Sequence, residues 1–87
     1  MKVYKYYLGE DPESTIELPI GATVLKVDFQ DGNICLWAMV NPELQTEPRT
    51  FEVFGTGDDM PDYELKFINT FFVKGGMYVL HAFERIS

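Results

Sequence analysis

The stretch "LKVDFQDGNICLWAMV", Leu25 to Val40, decides the fold. Leu25, Val27 and Phe29 alternate with Lys26, Asp28 and Gln30, the two-residue period of a strand with one apolar face. Asp31-Gly32 comes next, and a second strand-forming run follows it. A tight type I′ turn needs positive φ at both central residues, which Asp tolerates and Gly adopts freely. A hairpin is therefore expected, with Gln30 paired to Asn33. That register sets Phe29 opposite Ile34, Val27 opposite Leu36 and Leu25 opposite Ala38, one continuous apolar face. The reverse face sets Cys35, Trp37 and Met39 against Asp28, Lys26 and Val24. The second arm is thus apolar on both sides. Such a strand is normally central and covered twice, which places Trp37 in a packed interior rather than at an interface. The cover for its second face would come from a loop, a terminal strand or a second subunit.

Outward from the hairpin, strand-like runs alternate with turn signals. "KVYKYYL" reads as a strand from Lys2 to Leu8, and "GEDPES" breaks it. "TIELP" is a short strand ending at Pro19, and Gly21 turns the chain into the hairpin. "NPELQTEP", Asn41 to Pro48, reads as a polar connection. "RTFEVFGTG" gives a strand from Arg49 to about Phe54, "DDMPDYE" an acidic loop, "LKFINTFFV" a strand, "KGG" a turn and "MYVLHAFERI" the last strand. The sum is one all-β domain over residues 1–87, an antiparallel β-sandwich or small barrel of about seven strands. No internal repeat, linker or helix of normal length is expected.

The chain has 87 residues, 46% hydrophobic and 15% aromatic, enough apolar material for one core. Dimerisation is a natural way for so small a domain to bury more surface, so a homodimer is among the expectations. The formal charge is −7, from 14 acids against 7 bases. No stretch is basic, which disfavours binding to a nucleic-acid backbone and suits a partner protein with a basic surface. Cys35 is the only cysteine, so no intrachain disulfide can form. The opening residues show neither a leader pattern nor a membrane span, and the expected location is cytoplasmic.

Chemistry-bearing patterns are sparse. A Cys35–His81 nucleophile pair would need an orienting third group, and both residues lie in apolar strands. Gly55-Thr56-Gly57 matches no phosphate-binding fingerprint, and Asp58 and Asp59 beside it would repel phosphate. Asp58, Asp59, Asp62 and Glu64 do not follow the spacing of a calcium loop, so no metal site is expected. They are instead the candidate patch for a basic partner. Base stacking by the many aromatics lacks the positive groove that it requires. An alternative ligand set for a nucleotide signal would use Trp37 to stack on the base and Arg49, Lys74 and Arg85 to meet phosphate. No catalytic residue and no cofactor is expected.

The ordered segments "VYKYYL", "TIELPIGATVLKV", "ICLWAMVNPE", "RTFEVFGTG", "INTFF" and "YVLHAFE" span nearly the whole chain. In that order they resemble a family of small, largely uncharacterised proteins of tailed bacteriophages and prophages. Where that family has a "GTFQ"-like segment before the last hairpin, this chain has Asn69-Thr70-Phe71-Phe72. The resemblance implies a phage setting and a single β domain, and it carries over no catalytic residues. By analogy with small acidic phage proteins, the expected function is a non-enzymatic accessory protein. It would bind and inhibit a host protein, such as an antiviral defence component. Sequestration of a nucleotide signal and a structural role in the virion are the alternatives.

Overall fold

The computed structural model describes residues 1–86. It holds seven strands: β1 (Lys2–Gly9), β2 (Glu13–Pro19), β3 (Thr23–Gln30), β4 (Asn33–Val40), β5 (Thr46–Gly55), β6 (Leu65–Val73) and β7 (Tyr78–Arg85). A single 3-10 turn, Lys74–Gly76, joins the last two. The strands form two antiparallel sheets, a first of order β1-β4-β3 and a second of order β2-β5-β7-β6. This is a sandwich rather than a barrel. Leu18, Val27, Leu36, Ala38, Val40, Phe51, Phe71 and Ala82 are buried between the sheets.

The hairpin forms where the sequence places it. Asp31 and Gly32 have φ of 52° and 83°, the pair of positive values that a type I′ turn demands. Gln30 pairs with Asn33, Phe29 with Ile34, Val27 with Leu36 and Lys26 with Trp37. The register then slips by one residue at Leu25, so Val24 pairs with Ala38 and Thr23 with Met39. The expected Leu25–Ala38 and Val24–Met39 pairs are thereby corrected. An extra residue in one strand shifts every side chain beyond it to the other face. Val24 packs on the core in place of Leu25, which is 48% exposed. Phe29 lies on the inner side by register but sits near the hairpin tip and is exposed.

β4 is central, flanked by β1 and β3, yet no strand of the described residues lies over its second face. The expectation that Trp37 belongs to the interior is therefore wrong. Trp37 sits half-buried on the outer face of the first sheet, between Lys5 on β1 and Lys26 on β3. The cover comes from neighbouring side chains. Lys5 Nζ donates to Gln30 Oε1 at 2.8 Å, a strap from one edge strand to the other across β4. Cys35, flanked by Tyr7 and Asp28, is completely buried on this outer side, and burial pushes its thiol pKa up. Long amphipathic stems can thus shield a strand as a packed layer would.

Two further boundaries differ from expectation. β2 begins at Glu13 and β5 at Thr46, so Pro48 lies inside a strand. This is tolerated because β5 meets β7 only from Phe51 to Gly55, and Pro48 is paired on the β2 side alone. A proline cannot donate to a ladder and needs an edge of this kind.

The sandwich has two lateral seams. At one, β3 faces β6, and the side chain of Asn69 completes the backbone pairing of Val27. Its Oδ1 accepts the Val27 N–H and its Nδ2 donates to the Val27 C=O, both at 2.8 Å. Asn69 reaches across because β6 bulges between Phe67 and Asn69. Further along the same side, Arg49 binds Glu84 through Nε and Nη2 at 2.6 and 2.7 Å, and donates from Nη1 to the Ala22 C=O at 2.6 Å. At the other seam, β1 and β2 touch through a hydrogen bond from Ser14 Oγ to the Leu8 C=O.

Candidate functional site

The acidic loop between β5 and β6 is held at both of its ends. At the first, the Asp58 carboxylate accepts the Gly55 N–H at 2.8 Å, and the Asp58 N–H donates to the Gly55 C=O at 3.1 Å. Gly57 has φ of 96°, so the "GTG" glycine serves this turn rather than an anion. At the second, Tyr63 donates to Glu52 Oε1 at 2.6 Å. The guanidinium of Arg85 lies 4.4 Å from the centre of the Tyr63 ring. The Ile86 N–H donates to the Glu64 C=O at 3.1 Å.

Arg85 also contacts Glu13 and Glu52, the latter at 3.1 Å. Donation to the Glu52 carboxylate, reinforced by burial, raises the Tyr63 pKa above its ordinary value against the pull of Arg85. Because Arg85 faces two carboxylates of its own, it does not neutralise the loop. Asp58, Asp59, Asp62 and Glu64 are all exposed, and none is in an ion pair among the described residues. Met60 stands between them, 50% exposed.

The face beside the loop is aromatic. Glu52 and Phe83 are cross-strand partners, as are Phe83 and Phe67, so these side chains share the outer face of the second sheet. Phe54, Phe83 and Phe67 stack edge to face at centroid distances of 5.7 and 5.4 Å. Phe67 is 55% exposed. The loop therefore borders a strip of apolar surface, which periodicity alone could not place.

The alternative ligand set does not assemble. Trp37 is on the outer face of the first sheet, and Arg49 lies between the sheets with its donors taken by Glu84 and Ala22. Lys74 is at the β6–β7 turn beside the Tyr78 ring, and Arg85 is on the outer face of the second sheet. Arg49 and Arg85 line one open cleft of about 330 Å³ together with Glu47 and Glu84, but Trp37 and Lys74 take no part in it, so the four do not converge on one nucleotide. Cys35 and His81 face outward from opposite sheets, so they form no nucleophile pair. The two nitrogens of His81 meet the hydroxyls of Thr56 and Thr70 at 2.8 and 2.9 Å. Among the described residues, no group of three or more His, Cys, Asp or Glu side chains could hold a metal ion. No helix of the described residues is long and apolar enough to cross a membrane.

The clefts beside these residues are small or shallow. One of about 230 Å³ opens at the β3–β6 seam, over Arg49 and Glu84 and between the bulges at Leu25 and Ile68. It falls below the roughly 300–1,000 Å³ of ordinary ligand pockets. An open groove beside Trp37 is floored by Val3, Leu25 and Phe29, and its Lys26 is already paired with Asp28 at 3.0 Å.

The four loop acids were visible in the sequence, whereas the groups that pin them were not. Glu13, Glu52, Tyr63 and Arg85 come from four separate segments, and nothing in their spacing joins them. Across residues 1–87 the chain matches the model of a domain family of unknown function, DUF7352, and it belongs to that family. Comparison with curated proteins and with solved structures found no match.

Proposed function

We propose that this member of DUF7352 is a non-enzymatic protein-binding module of phage origin. It docks its β5–β6 loop onto a basic surface of a host protein in the cytoplasm and blocks it, an antiviral defence component being the partner class that analogy with small acidic phage proteins suggests. The observation that carries the proposal is a pinned loop with uncompensated charge. Asp59, Asp62 and Glu64 project without ion-pair partners among the described residues, while Asp58, Tyr63 and the Glu64 carbonyl fix the ends. A loop already held in place loses little freedom on binding, so more of its interaction appears as affinity. Its charge steers a basic partner, and Met60 with the nearby Phe67 supplies apolar contact. The phage setting rests on the resemblance of the ordered segments.

The test is capture from bacterial lysate on the immobilised chain, at low and moderate salt. A basic protein should be retained and should weaken as salt rises. The triple variant Asp59→Asn, Asp62→Asn, Glu64→Gln leaves every pinning contact intact, and it should lose the captured protein. Recovery of no protein at either salt, or equal capture by the triple variant, overturns the proposal.

A further inference from the structure

β5 and β6 are not neighbours, because β7 lies between them and pairs antiparallel with both. They therefore run parallel, and the acidic loop that joins them must travel back along β7. It leaves at the level of Leu80, the partner of Gly55, and re-enters at the level of Arg85, the partner of Leu65. Past Gly55 the ladder with β7 has ended. The direction in which the loop sets out rests on Thr56, since Gly57 follows with φ of 96° and Asp58 comes directly after.

Thr56 has two ties to β7. Its N–H donates to the Val79 C=O at 3.3 Å, and its hydroxyl meets His81 Nε2 at the shorter distance of 2.8 Å. The imidazole is itself held from the far side, where Nδ1 meets the Thr70 hydroxyl on β6 at 2.9 Å. A threonine hydroxyl both donates and accepts, so it suits whichever nitrogen carries the proton. With both nitrogens engaged the ring is fixed in one orientation, and the bond at one nitrogen sets the role of the other. Thr70, His81 and Thr56 thus form a transverse chain from β6, over β7, to the first residue of the loop.

We infer that His81 is the positioning residue of the acidic loop, and that Thr70 acts through it. That role rests on the loop-docking reading and names the residue that sets the loop's starting direction. The His81 ring bonds to the two threonines and to no acid of the loop among the described residues. It acts on Asp58 and Asp59 by fixing Thr56, which precedes them. A loop held before its partner arrives binds with less loss of freedom, so a tie at its first residue bears on binding without touching the partner.

Hydrogen exchange of the intact chain tests the inference and needs no partner. Glutamine carries its amide at about the reach of Nε2, and asparagine at about that of Nδ1. His81→Gln can therefore keep the Thr56 bond, whereas His81→Asn keeps only the Thr70 bond. In His81→Asn the Thr56 and Asp58 amides should exchange at least about tenfold faster than in the native chain. The Ile20 and Ile86 amides, bonded to the Gln45 and Glu64 carbonyls, should not change. His81→Gln should stay near the native rates. Thr70→Val, at an exposed position, should loosen the same two amides as His81→Asn. Equal exchange at Thr56 and Asp58 in the asparagine and glutamine variants overturns the inference. So does a Thr70→Val chain with native exchange at both. If a His81 variant fails to fold, Thr70→Val decides by itself. Capture from lysate is read separately: loosened amides in His81→Asn with undiminished capture support the role of His81 in the loop and count against the loop as the docking element.

Discussion

The two seams of the sandwich handle the same problem differently. Where β3 meets β6, a side-chain amide stands in for a missing strand, and Arg49 ties β5 and β7 to the chain just before β3. Where β1 meets β2, one hydroxyl touches one carbonyl, and the rest of the β1 edge has no backbone partner among the described residues. The difference teaches that a small sandwich need not seal itself all round. One well-bonded seam fixes how the sheets face each other, and the other adds little to that.

The comparison can be broken hardest at Arg49. Arg49→Met strands the Glu84 carboxylate, which is only 12% exposed, and frees the Ala22 carbonyl. Loss of one partner of such a pair should cost about 3 kcal/mol in chemical denaturation. Asn69→Ala leaves the Val27 N–H and C=O without their partner and should cost about 2 kcal/mol. Asn69→Asp sharpens the point, because it keeps the acceptor for the N–H but turns a carboxylate on the C=O. It should be no more stable than the alanine variant.

Gly32→Val probes the hairpin tip, outside both seams. A side chain there would meet nothing within 4 Å, so its cost is backbone strain alone, about 1–2 kcal/mol. Ser14→Ala, at the open seam, should cost at most about 1 kcal/mol. If Ser14→Ala proves costlier than Asn69→Ala, the ranking of the seams is reversed.

The smallest effect is a pH dependence on the outer face of the first sheet. Burial pushes the Asp28 carboxyl up, but hydrogen bonds from Lys26 and the Phe29 N–H outweigh it and hold the pKa below the usual carboxylate value. A lowered folded-state pKa stabilises above the unfolded value, and the gain disappears as pH falls through the folded one. Asp28→Asn should therefore flatten the acid limb of a stability profile slightly.

How much of this was legible depends on how local the cause is. Asp31-Gly32 specifies its turn through its own backbone preferences, so the hairpin could be read directly. The slip at Leu25 could not, because adjacent Val24 and Leu25 fit the core equally well until a partner strand chooses. Trp37 was misplaced because alternation says that a face is apolar, not whether strands or lysine stems cover it. The acids of the β5–β6 loop were read as exposed, and they are. The alternative ligand set counts Arg49 and Arg85 as phosphate partners because a sequence shows a cation without the distant carboxylates that occupy it.

The strap over β4 has a kinetic consequence. Cys35 is the only thiol and lies sealed beneath the outer face of the first sheet, beside a hydrogen bond that ties β1 to β3. A thiol reagent can reach it only during moments when that face comes apart. Alkylation of Cys35 is therefore a clock wound into the molecule. Its rate with excess reagent counts openings of the first sheet, and it does so without any added label.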